Sequence, residues 1–351
     1  MINRIMIFIP SLGGGGAERV TSYLANYLNN ECDVAVVTCS EITSSDYYID
    51  SKVKKYIANG KRQIRNVVKH FMPNLIIIMF APMGISVVPA IRGMKIPFII
   101  SERNDPKNFS GKRITRVLYQ YYMTKANGLV FQTQEAADYY KRKYNGISAI
   151  IYNPLSLNKF PDIYTGEREK VIVNVGRLHY QKNQALLIKA FDEVHELYPE
   201  YSLEIYGEGD LRGNLQKLIV SLNLESSVKL MGNRSDVLEL ERTKSIFVMS
   251  SDFEGMPNAL IEAMALGIPV ISTDCPCGGP RELIKDHVNG TLVPVGDIKA
   301  LKLAIIELLE HEELARKYSD NELEIRNQLD EKKIMKQWLD FCSRVVGRNS
   351  L

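Results

Sequence analysis

Residues 4–20 read RIMIFIPSLGGGGAERV, an apolar run followed by four consecutive glycines and a segment that becomes helical near Ala17. The apolar run is too short for the core of a signal peptide and predicts a buried first strand. Glycines allow a tight turn and a close approach to a ligand, and the N–H groups of a helix start attract an anion. This order of strand, glycine loop and helix makes a phosphate site at the loop plausible, although a tight turn without a ligand fits the glycines equally well.

Short apolar runs alternate with helix-like segments along the chain, which is typical of parallel sheets built from βαβ units. The runs fall at residues 4–10, 33–38, 74–79, 97–101, 128–133 and 147–151, and again at 171–176, 202–207, 228–231, 245–250 and 269–272. A connector with prolines and charges, residues 152–170, separates the two series and places a domain boundary near Asn153. We therefore predict an α/β protein with two doubly wound domains, whose ligands bind at the carboxyl ends of the strands, in a cleft between the domains.

The charge of the chain is unevenly distributed. Its 351 residues carry a net charge of +3, but residues 51–150 contain 18 Lys and Arg against 4 Asp and Glu. Such a basic region predicts an anionic partner: phospholipid, polyphosphate or nucleic acid. Residues 111–125 mix these cations with Leu, Tyr and Met, which suits an anionic membrane surface and equally a basic helix packed on the sheet. We expect no nucleic-acid partner, because no recognised binding module accompanies the charge.

The cysteine content and the lengths of the apolar stretches indicate the cellular compartment of the protein. The five cysteines are few and odd in number, which favours reduced thiols over a disulfide framework. No apolar stretch approaches the roughly 20 residues that a membrane-spanning helix needs. We expect a cytoplasmic protein that does not span the membrane.

A short loop in the second domain, VGRLHYQKN at residues 175–183, places Arg177 and Lys182 after a buried strand. A guanidinium offers a fixed fork of donors and an ammonium a mobile point charge, a combination that suits a pyrophosphate. Gly207 and Asn233 follow two later strands at the same predicted edge. Two solvated surface cations are the alternative, and the position at a strand end favours the ligand.

A second loop, EGMPNALIE at residues 254–262, places Glu254 and Glu262 on either side of a helix start near Asn258. Pro257 suits the first positions of a helix, whose N–H groups and dipole favour phosphate or sugar oxygens. Carboxylates accept hydrogen bonds from vicinal hydroxyl groups, as ribose and hexose present them. The alternative is one acid that complements the helix dipole and one solvated loop acid.

Together these motifs resemble the glycosyltransferases of family 4, retaining enzymes of the GT-B fold in which two Rossmann-like domains face each other across a cleft. The matching elements are GGGGAERV, VGRL with Lys182 and Asn183, GEGDL, MGN, EGMPNALIE, AMALGIPVIST and NGTLVPVGD, and they cover most of the chain. The resemblance implies an acceptor-binding domain at residues 1–153 and a nucleotide-sugar-binding domain at 154–330. Residues 331–351 are expected to form a helix that crosses back onto the first domain.

The resemblance also implies roles for the site residues. Arg177 and Lys182 would hold the donor pyrophosphate, Glu254 would face the transferred sugar, and Glu262 would accept hydrogen bonds from the ribose. The expected catalytic residues are Arg177, Lys182 and Glu254, and the expected donor-binding residues are Gly14, Gly15, Gly16, Gly207, Asn233, Gly255, Met256, Pro257, Asn258 and Glu262. Many relatives carry a His at the end of the strand at residues 97–101, where this chain has Ser101, Glu102 and Arg103. We expect Glu102 or Arg103 to make that sugar contact.

The implied reaction transfers a hexose or N-acetylhexosamine from a nucleotide sugar to a saccharide acceptor linked to polyprenyl diphosphate. The resemblance implies that the nucleotide is UDP, because uridine is the usual donor base in this family. It would serve surface polysaccharide, lipopolysaccharide or O-antigen synthesis at the cytoplasmic face of the inner membrane. No cofactor or metal is expected, and the chain contains no Asp-x-Asp motif.

Three alternatives stay open. A nucleotide-sugar epimerase would need cleft acids and histidines placed for proton transfer. A phosphorylase would need a cofactor lysine. A third alternative is a non-catalytic partner that binds the nucleotide sugar without turnover, which the presence of Arg177, Lys182, Glu254 and Glu262 disfavours.

Overall fold

The computed structural model describes residues 2–43, 46–108 and 113–348. The chain divides into two compact units, Met1–Pro154 with Glu331–Leu351, and Leu155–Asp330. Each unit contains one sheet whose neighbouring strands all run parallel. The prediction of an α/β protein with two doubly wound sheets is confirmed.

The first unit is built around a seven-stranded sheet. Its elements are β1 (Arg4–Phe8), α1 (Gly16–Leu28), β2 (Asp33–Thr38), β3 (Lys54–Ile57), α2 (Gly60–Phe71), β4 (Leu75–Ile78), α3 (Gly84–Ile91), β5 (Phe98–Ser101), α4 (Arg113–Met123), β6 (Gly128–Phe131), α5 (Gln134–Lys141) and β7 (Ile147–Ile150). The strand order is β3-β2-β1-β4-β5-β6-β7. Strands β4, β5 and β6 are buried along their whole length, because both faces of a parallel sheet are covered.

The second unit holds a six-stranded sheet. Its elements are β8 (Glu169–Val175), α6 (Gln184–His195), β9 (Ser202–Tyr206), α7 (Arg212–Ser221), β10 (Val228–Gly232), α8 (Val237–Glu241), β11 (Lys244–Met249), α9 (Asn258–Ala265), β12 (Val270–Thr273), α10 (Gly279–Leu283), β13 (Thr291–Val293), α11 (Ile298–Glu310), α12 (Glu312–Glu322) and α13 (Ile325–Gln328). The strand order is β10-β9-β8-β11-β12-β13. A core that includes Phe191, Ile205 and Val248 fills the space between the sheet and its helices.

The last helix, α14 (Glu331–Arg348), belongs to the first unit. It buries Trp338, Phe341 and Val345, which are at most 2% exposed. Gly128 opens β6 beneath this helix, and a Cβ there would lie 2.7 Å from Cγ2 of Val345. Only glycine therefore lets α14 pack this closely on the sheet. Among the described residues, no helix combines the length and apolar character that crossing a bilayer requires.

The strand order of each sheet reverses once, between β1 and β4 in the first unit and between β8 and β11 in the second. Parallel strands present all their carboxyl ends at one edge, and the loops that leave two strands at a reversal diverge to opposite faces. Ligands of open α/β sheets bind in the crevice between such loops. In the second unit, this crevice is bordered by the loops that follow β8 and β11.

Candidate functional site

The two loops at the reversal of the second sheet carry the predicted catalytic residues. The loop after β8 contains Arg177 and Lys182, and Lys182 closes a single turn of 3-10 helix. The loop after β11 contains Glu254. Nζ of Lys182 lies 2.5 Å from Oε1 of Glu254, so an ion pair joins the two loops.

The carboxylate of Glu254 is buried, with the residue 6% exposed, and both of its oxygens accept hydrogen bonds. Oε1 accepts from Oγ of Ser251 at 2.8 Å in addition to Lys182. Oε2 accepts from Nε2 of Gln181 at 3.2 Å. A buried carboxylate is costly unless it is paired and hydrogen-bonded, and these contacts meet that requirement.

Backbone contacts fix the loop around Glu254. Its N–H donates to the carbonyl of Pro276 at 2.7 Å, and its carbonyl accepts from the N–H of Cys277 at 3.1 Å. Nε2 of Gln181 also donates to the carbonyl of Phe253 at 2.9 Å. The loops after β8, β11 and β12 are thus tied together, and Glu254 is held at their junction.

Arg177 presents its side chain to solvent at the same edge. The residue is exposed, and its carbonyl accepts from Nε2 of Gln184 at 3.0 Å. Its guanidinium has no hydrogen-bond partner within the part of the chain that the structure describes. The five donors of this group are available to an anion.

Helix α9 begins at Asn258, as predicted, after a buried turn at residues 255–257. Pro257 precedes it in an extended conformation, and no side chain caps the helix start. The positive end of the helix dipole lies there and favours an anion or a sugar oxygen. The turn passes so close to α10 that a Cβ on Gly279 would lie 1.6 Å from the carbonyl oxygen of Gly255. Glycine at position 279 is therefore required for this loop conformation.

Glu262 is the fifth residue of α9 and is half-buried. Near it lies Glu241, which is 1% exposed and whose Oε2 has no hydrogen-bond partner among the described residues. Burial, and secondarily the charge of Glu262, raise the pKa of the Glu241 carboxyl well above its ordinary value. This shift favours the protonated form of Glu241.

The two remaining donor-binding candidates of the second unit, Gly207 and Asn233, lie at different distances from the Lys182–Glu254 ion pair. Gly207 directly follows β9, and at its φ of +133° a Cβ would lie 2.1 Å from the carbonyl oxygen of Gly176. Gly207 thus lies against the start of the loop that carries Arg177. Asn233 is exposed beyond β10, the edge strand, and β9 lies between β10 and β8. Asn233 is the more distant of the two from the ion pair.

The glycine loop of the first unit leads from β1 into α1, which begins at Gly16. Gly14 has a φ of +59°, a conformation that suits glycine. A Cβ on Gly15 would lie 2.1 Å from Oε2 of Glu18, so this carboxylate rests against the loop. A phosphate that approaches Gly15 would have to displace the side chain of Glu18.

Glu102 and Arg103 follow β5 and are 4% and 8% exposed. The guanidinium of Arg103 donates to Oδ1 of Asn153 and, at 3.4 Å, to Oγ of Ser101, and burial lowers its pKa to about 10. Burial raises the pKa of Glu102 to about 7, and the hydroxyl of Tyr140 donates to its Oε2 at 3.5 Å. Both side chains are engaged inside the first unit, so their contact with a sugar stays a prediction.

Sequence reasoning missed the residues that orient Glu254. Gln181 stands beside Lys182 in the motif, and Ser251 stands three residues before Glu254, but their hydrogen bonds depend on how two distant loops fold. Glu241 carried no signal, because it is one of several acids and bases in the charged segment 234–244. Within residues 2–43, 46–108 and 113–348, no three His, Cys, Asp or Glu side chains group so as to hold a metal ion.

Known proteins are similar to this chain in sequence and in architecture. Residues 158–324 match the family described as glycosyl transferases group 1. An uncharacterized glycosyltransferase of Methanocaldococcus jannaschii is 31% identical over 329 residues, which cover 79% of this chain and 80% of the relative. The Campylobacter jejuni N-acetylgalactosamine-N,N'-diacetylbacillosaminyl-diphospho-undecaprenol 4-alpha-N-acetylgalactosaminyltransferase is 27% identical over 370 residues, which cover 97% of this chain and 99% of the relative. The solved structure of HepE from Anabaena in complex with UDP has a TM-score of 0.82 at 18% identity and covers 98% of this chain and 100% of that chain.

The two parallel α/β units and these similarities define the class: the protein is a glycosyltransferase of the GT-B fold, in the EC 2.4 class. More closely, the chain belongs to the group 1 glycosyltransferases, family 4. The family resemblance drawn from the sequence motifs is confirmed.

Proposed function

We propose that the protein is a retaining, metal-independent transferase that moves a hexose or N-acetylhexosamine from a UDP-sugar to a saccharide acceptor. The observation that carries this proposal is the Lys182–Glu254 ion pair at the reversal of the second sheet, with exposed Arg177 in the same loop as Lys182. The UDP held by HepE supports uridine as the donor base.

In this proposal, these groups stabilise the charges that develop in the transition state. As the bond between the anomeric carbon and the phosphate oxygen loosens, negative charge grows on the departing diphosphate and positive charge on the sugar. Arg177 and Lys182 supply fixed cations for the diphosphate, and Glu254 supplies a carboxylate for the sugar. Because hydrogen bonds from Gln181 and Ser251 fix Glu254 in place, the reaction needs little reorganisation of this carboxylate.

The remaining residues bind the donor. Glu262 accepts hydrogen bonds from the ribose hydroxyl groups, and the start of α9 at residues 255–258 contacts the phosphate or the sugar. In this proposal residues 154–330 bind the nucleotide sugar and residues 1–153 bind the acceptor. Gly14, Gly15 and Gly16 approach the donor phosphates once the side chain of Glu18 moves aside.

We propose an acceptor linked to polyprenyl diphosphate, used in surface polysaccharide or O-antigen synthesis at the cytoplasmic face of the inner membrane. The Campylobacter relative supports this acceptor, since its name describes a saccharide on diphospho-undecaprenol. The 18 Lys and Arg against 4 Asp and Glu in residues 51–150 support an anionic acceptor group as well.

The test is an assay of UDP release with EDTA present. The purified protein is offered UDP-GalNAc, UDP-GlcNAc, UDP-galactose and UDP-glucose, each with and without an α-linked saccharide diphosphoprenol. We expect one donor to release UDP only when the acceptor is present, and the proton NMR spectrum of the product to show an α anomer. A β anomer would contradict retention, and loss of activity with EDTA would contradict metal independence.

The rival functions give other products in the same assay. An epimerase converts the donor sugar without any acceptor. A phosphorylase forms a sugar 1-phosphate only when inorganic phosphate is added. A non-catalytic partner binds UDP and releases none from any donor. Each of these three results would overturn the proposal.

A further inference from the structure

Helix α4 turns an apolar face outward. Its inner face buries Tyr119 and Met123, which are 2% and 0% exposed. The exposed apolar residues, which we call the α4 stripe, are Ile114 at 64%, Val117 at 56%, Leu118 at 39% and Tyr121 at 54%. Their spacing of i, i+3, i+4 and i+7 places them along one face, opposite the buried one. Scattered exposed apolar residues are ordinary, but an aligned group on a surface helix indicates a binding surface.

The charges near the α4 stripe are mostly positive, and the half-buried acid Glu135 on α5 is paired with Lys107. Residues 73–134 contain only two acids, Glu102 and Asp105, and both are buried, at 4% and 3% exposure. Helix α4 itself carries Arg113 and Arg116 and no acid. An apolar stripe flanked by cations is the composition of helices that lie in the interface of an anionic bilayer.

A cavity of about 460 Å³ adjoins the stripe at the carboxyl end of α4. Tyr121 belongs to both the stripe and the cavity wall. The apolar lining includes Val88, Ile91, Phe98 and Tyr122, and the cations that line it are Arg92, Lys95 and Lys125. Within the described part of the chain, none of these three cations forms an ion pair. The cavity therefore offers apolar walls and uncompensated positive charge to one amphipathic ligand.

We infer that the α4 stripe and this cavity form a docking surface for an anionic phospholipid bilayer. The four stripe residues enter the boundary between headgroups and acyl chains, and the flanking arginines contact lipid phosphates. The cavity receives one lipid, with its phosphate near Arg92, Lys95 and Lys125. The surface lies wholly in the first unit, and its test needs neither the donor nor the acceptor of the proposed reaction.

The positive charge and the apolar residues of this surface together favour an anionic bilayer over a second copy of the chain or nucleic acid. A second copy of the chain would bring two positive surfaces together, which costs free energy in water. Nucleic acid would satisfy the cations but would leave four aligned apolar side chains against a phosphate backbone. An anionic bilayer satisfies both features at once.

The test is co-sedimentation of the full chain with vesicles of phosphatidylcholine, alone or mixed with phosphatidylglycerol. We expect binding to the mixed vesicles that weakens as salt is added, because exposed charges are screened. The double variant Ile114→Asn/Val117→Asn and the double variant Arg113→Gln/Lys125→Gln should each lower the partition coefficient about 10-fold or more. The altered side chains are exposed, so the fold should persist, and emission of the single, buried Trp338 reports it.

Matched controls come from the second unit. Leu303→Asn removes an apolar side chain that is 53% exposed on α11, and Lys189→Gln removes an exposed cation on α6. Neither control should change vesicle binding. Three results would overturn the inference: no binding by the native chain, equal binding by stripe variants and controls, or light scattering that shows a dimer which the stripe variants dissociate. Loss of sugar transfer with intact vesicle binding would instead count against the proposed function alone.

Discussion

Lys182 and Glu254 lie 72 residues apart in the chain and 2.5 Å apart in the structure. Their side chains are 20% and 8% exposed, so the pair is largely removed from solvent. Since it joins the loops after β8 and β11, the pair sets both the position of a cation and the shape of the crevice at the strand reversal. The proposed chemistry depends on this arrangement.

Lys182→Met should remove the cation while it keeps most of the side-chain volume. We expect the rate of UDP release to fall about 100- to 1,000-fold, because a prearranged charge at the leaving group is lost. The free energy of unfolding should fall by about 3 kcal/mol, because Glu254 is left buried without its partner. The double variant Lys182→Met/Glu254→Gln should regain stability but not activity. Lys189→Met, at an exposed site on α6, is the control for both measurements, and a Lys182 variant that behaves like it would refute the role.

Gln181 should act as a positioning residue for Glu254, because its amide donates to Oε2 of Glu254 and to the carbonyl of Phe253. Gln181→Glu places a second carboxylate there, and we expect kcat at neutral pH to fall about 10-fold and to recover partly as the pH is lowered. Gln181→Met should lower kcat without the pH dependence. The pH profiles of kcat and KM test this, with Gln216→Glu on the exposed face of α7 as the control. Identical profiles for Gln181→Glu and Gln181→Met would contradict the assignment.

Gly279→Ala should disturb the turn at residues 255–257, since the added Cβ would lie 1.6 Å from the carbonyl oxygen of Gly255. We expect weaker UDP binding by about 10-fold and a loss of about 1–3 kcal/mol in the free energy of unfolding, as overpacking usually causes. Gly213→Ala is the matched control, because no atom lies within 4 Å of its added Cβ and alanine favours the interior of α7. Unchanged UDP affinity in Gly279→Ala would show that the turn does not shape the donor site.

Glu102 should make the stability of the protein fall as pH rises. Burial raises its pKa from 4.5 to about 7, so the folded state holds the proton more tightly than the unfolded state. The resulting stabilisation is fully present below pH 4.5 and is lost as pH rises to about 7, and its size is about 3 kcal/mol. Glu102→Gln should remove this pH-dependent loss. The free energy of unfolding of the variant should therefore increase relative to that of the native protein as pH rises from 5 to 8.

Urea unfolding at several pH values measures this difference. Glu41→Gln, at an exposed acid of the same unit, is the control and should follow the native protein. A constant difference between Glu102→Gln and the native chain across this pH range would show that Glu102 is ionised throughout.

The inner strands of both sheets could be predicted from the sequence, because strands covered on two faces are continuous apolar runs. Strands β3 and β13 could not. β3 reads KKYI with most of its residues exposed, and β13 has three residues, and both lie at the edges of their sheets. Short or charged edge strands protect a sheet from pairing with other chains, and the same features hide them from pattern analysis.

The candidate site was predictable as far as strand ends and charges define it. Lys182 and Glu254 were singled out because each follows a buried strand at one edge of the sheet and lies in a motif that resembles family 4. The hydrogen bonds of Gln181 and Ser251 depend on loop conformations that no local pattern encodes. The burial of Arg103 depends on Asn153, which follows β7, so its environment comes from tertiary contacts rather than from its own segment.

The central claim is that the second unit binds a nucleoside diphosphate through the crevice at the strand reversal. The most direct measurement is calorimetric titration of the native protein and of Glu262→Ala with UDP, GDP, ADP and NAD, with EDTA present. We predict that UDP binds the native protein without a metal ion, and that Glu262→Ala weakens UDP binding about 10- to 100-fold, because charge-assisted hydrogen bonds to the ribose are lost. Binding of none of the diphosphates, binding of NAD alone, or equal UDP affinity in both proteins would contradict the account.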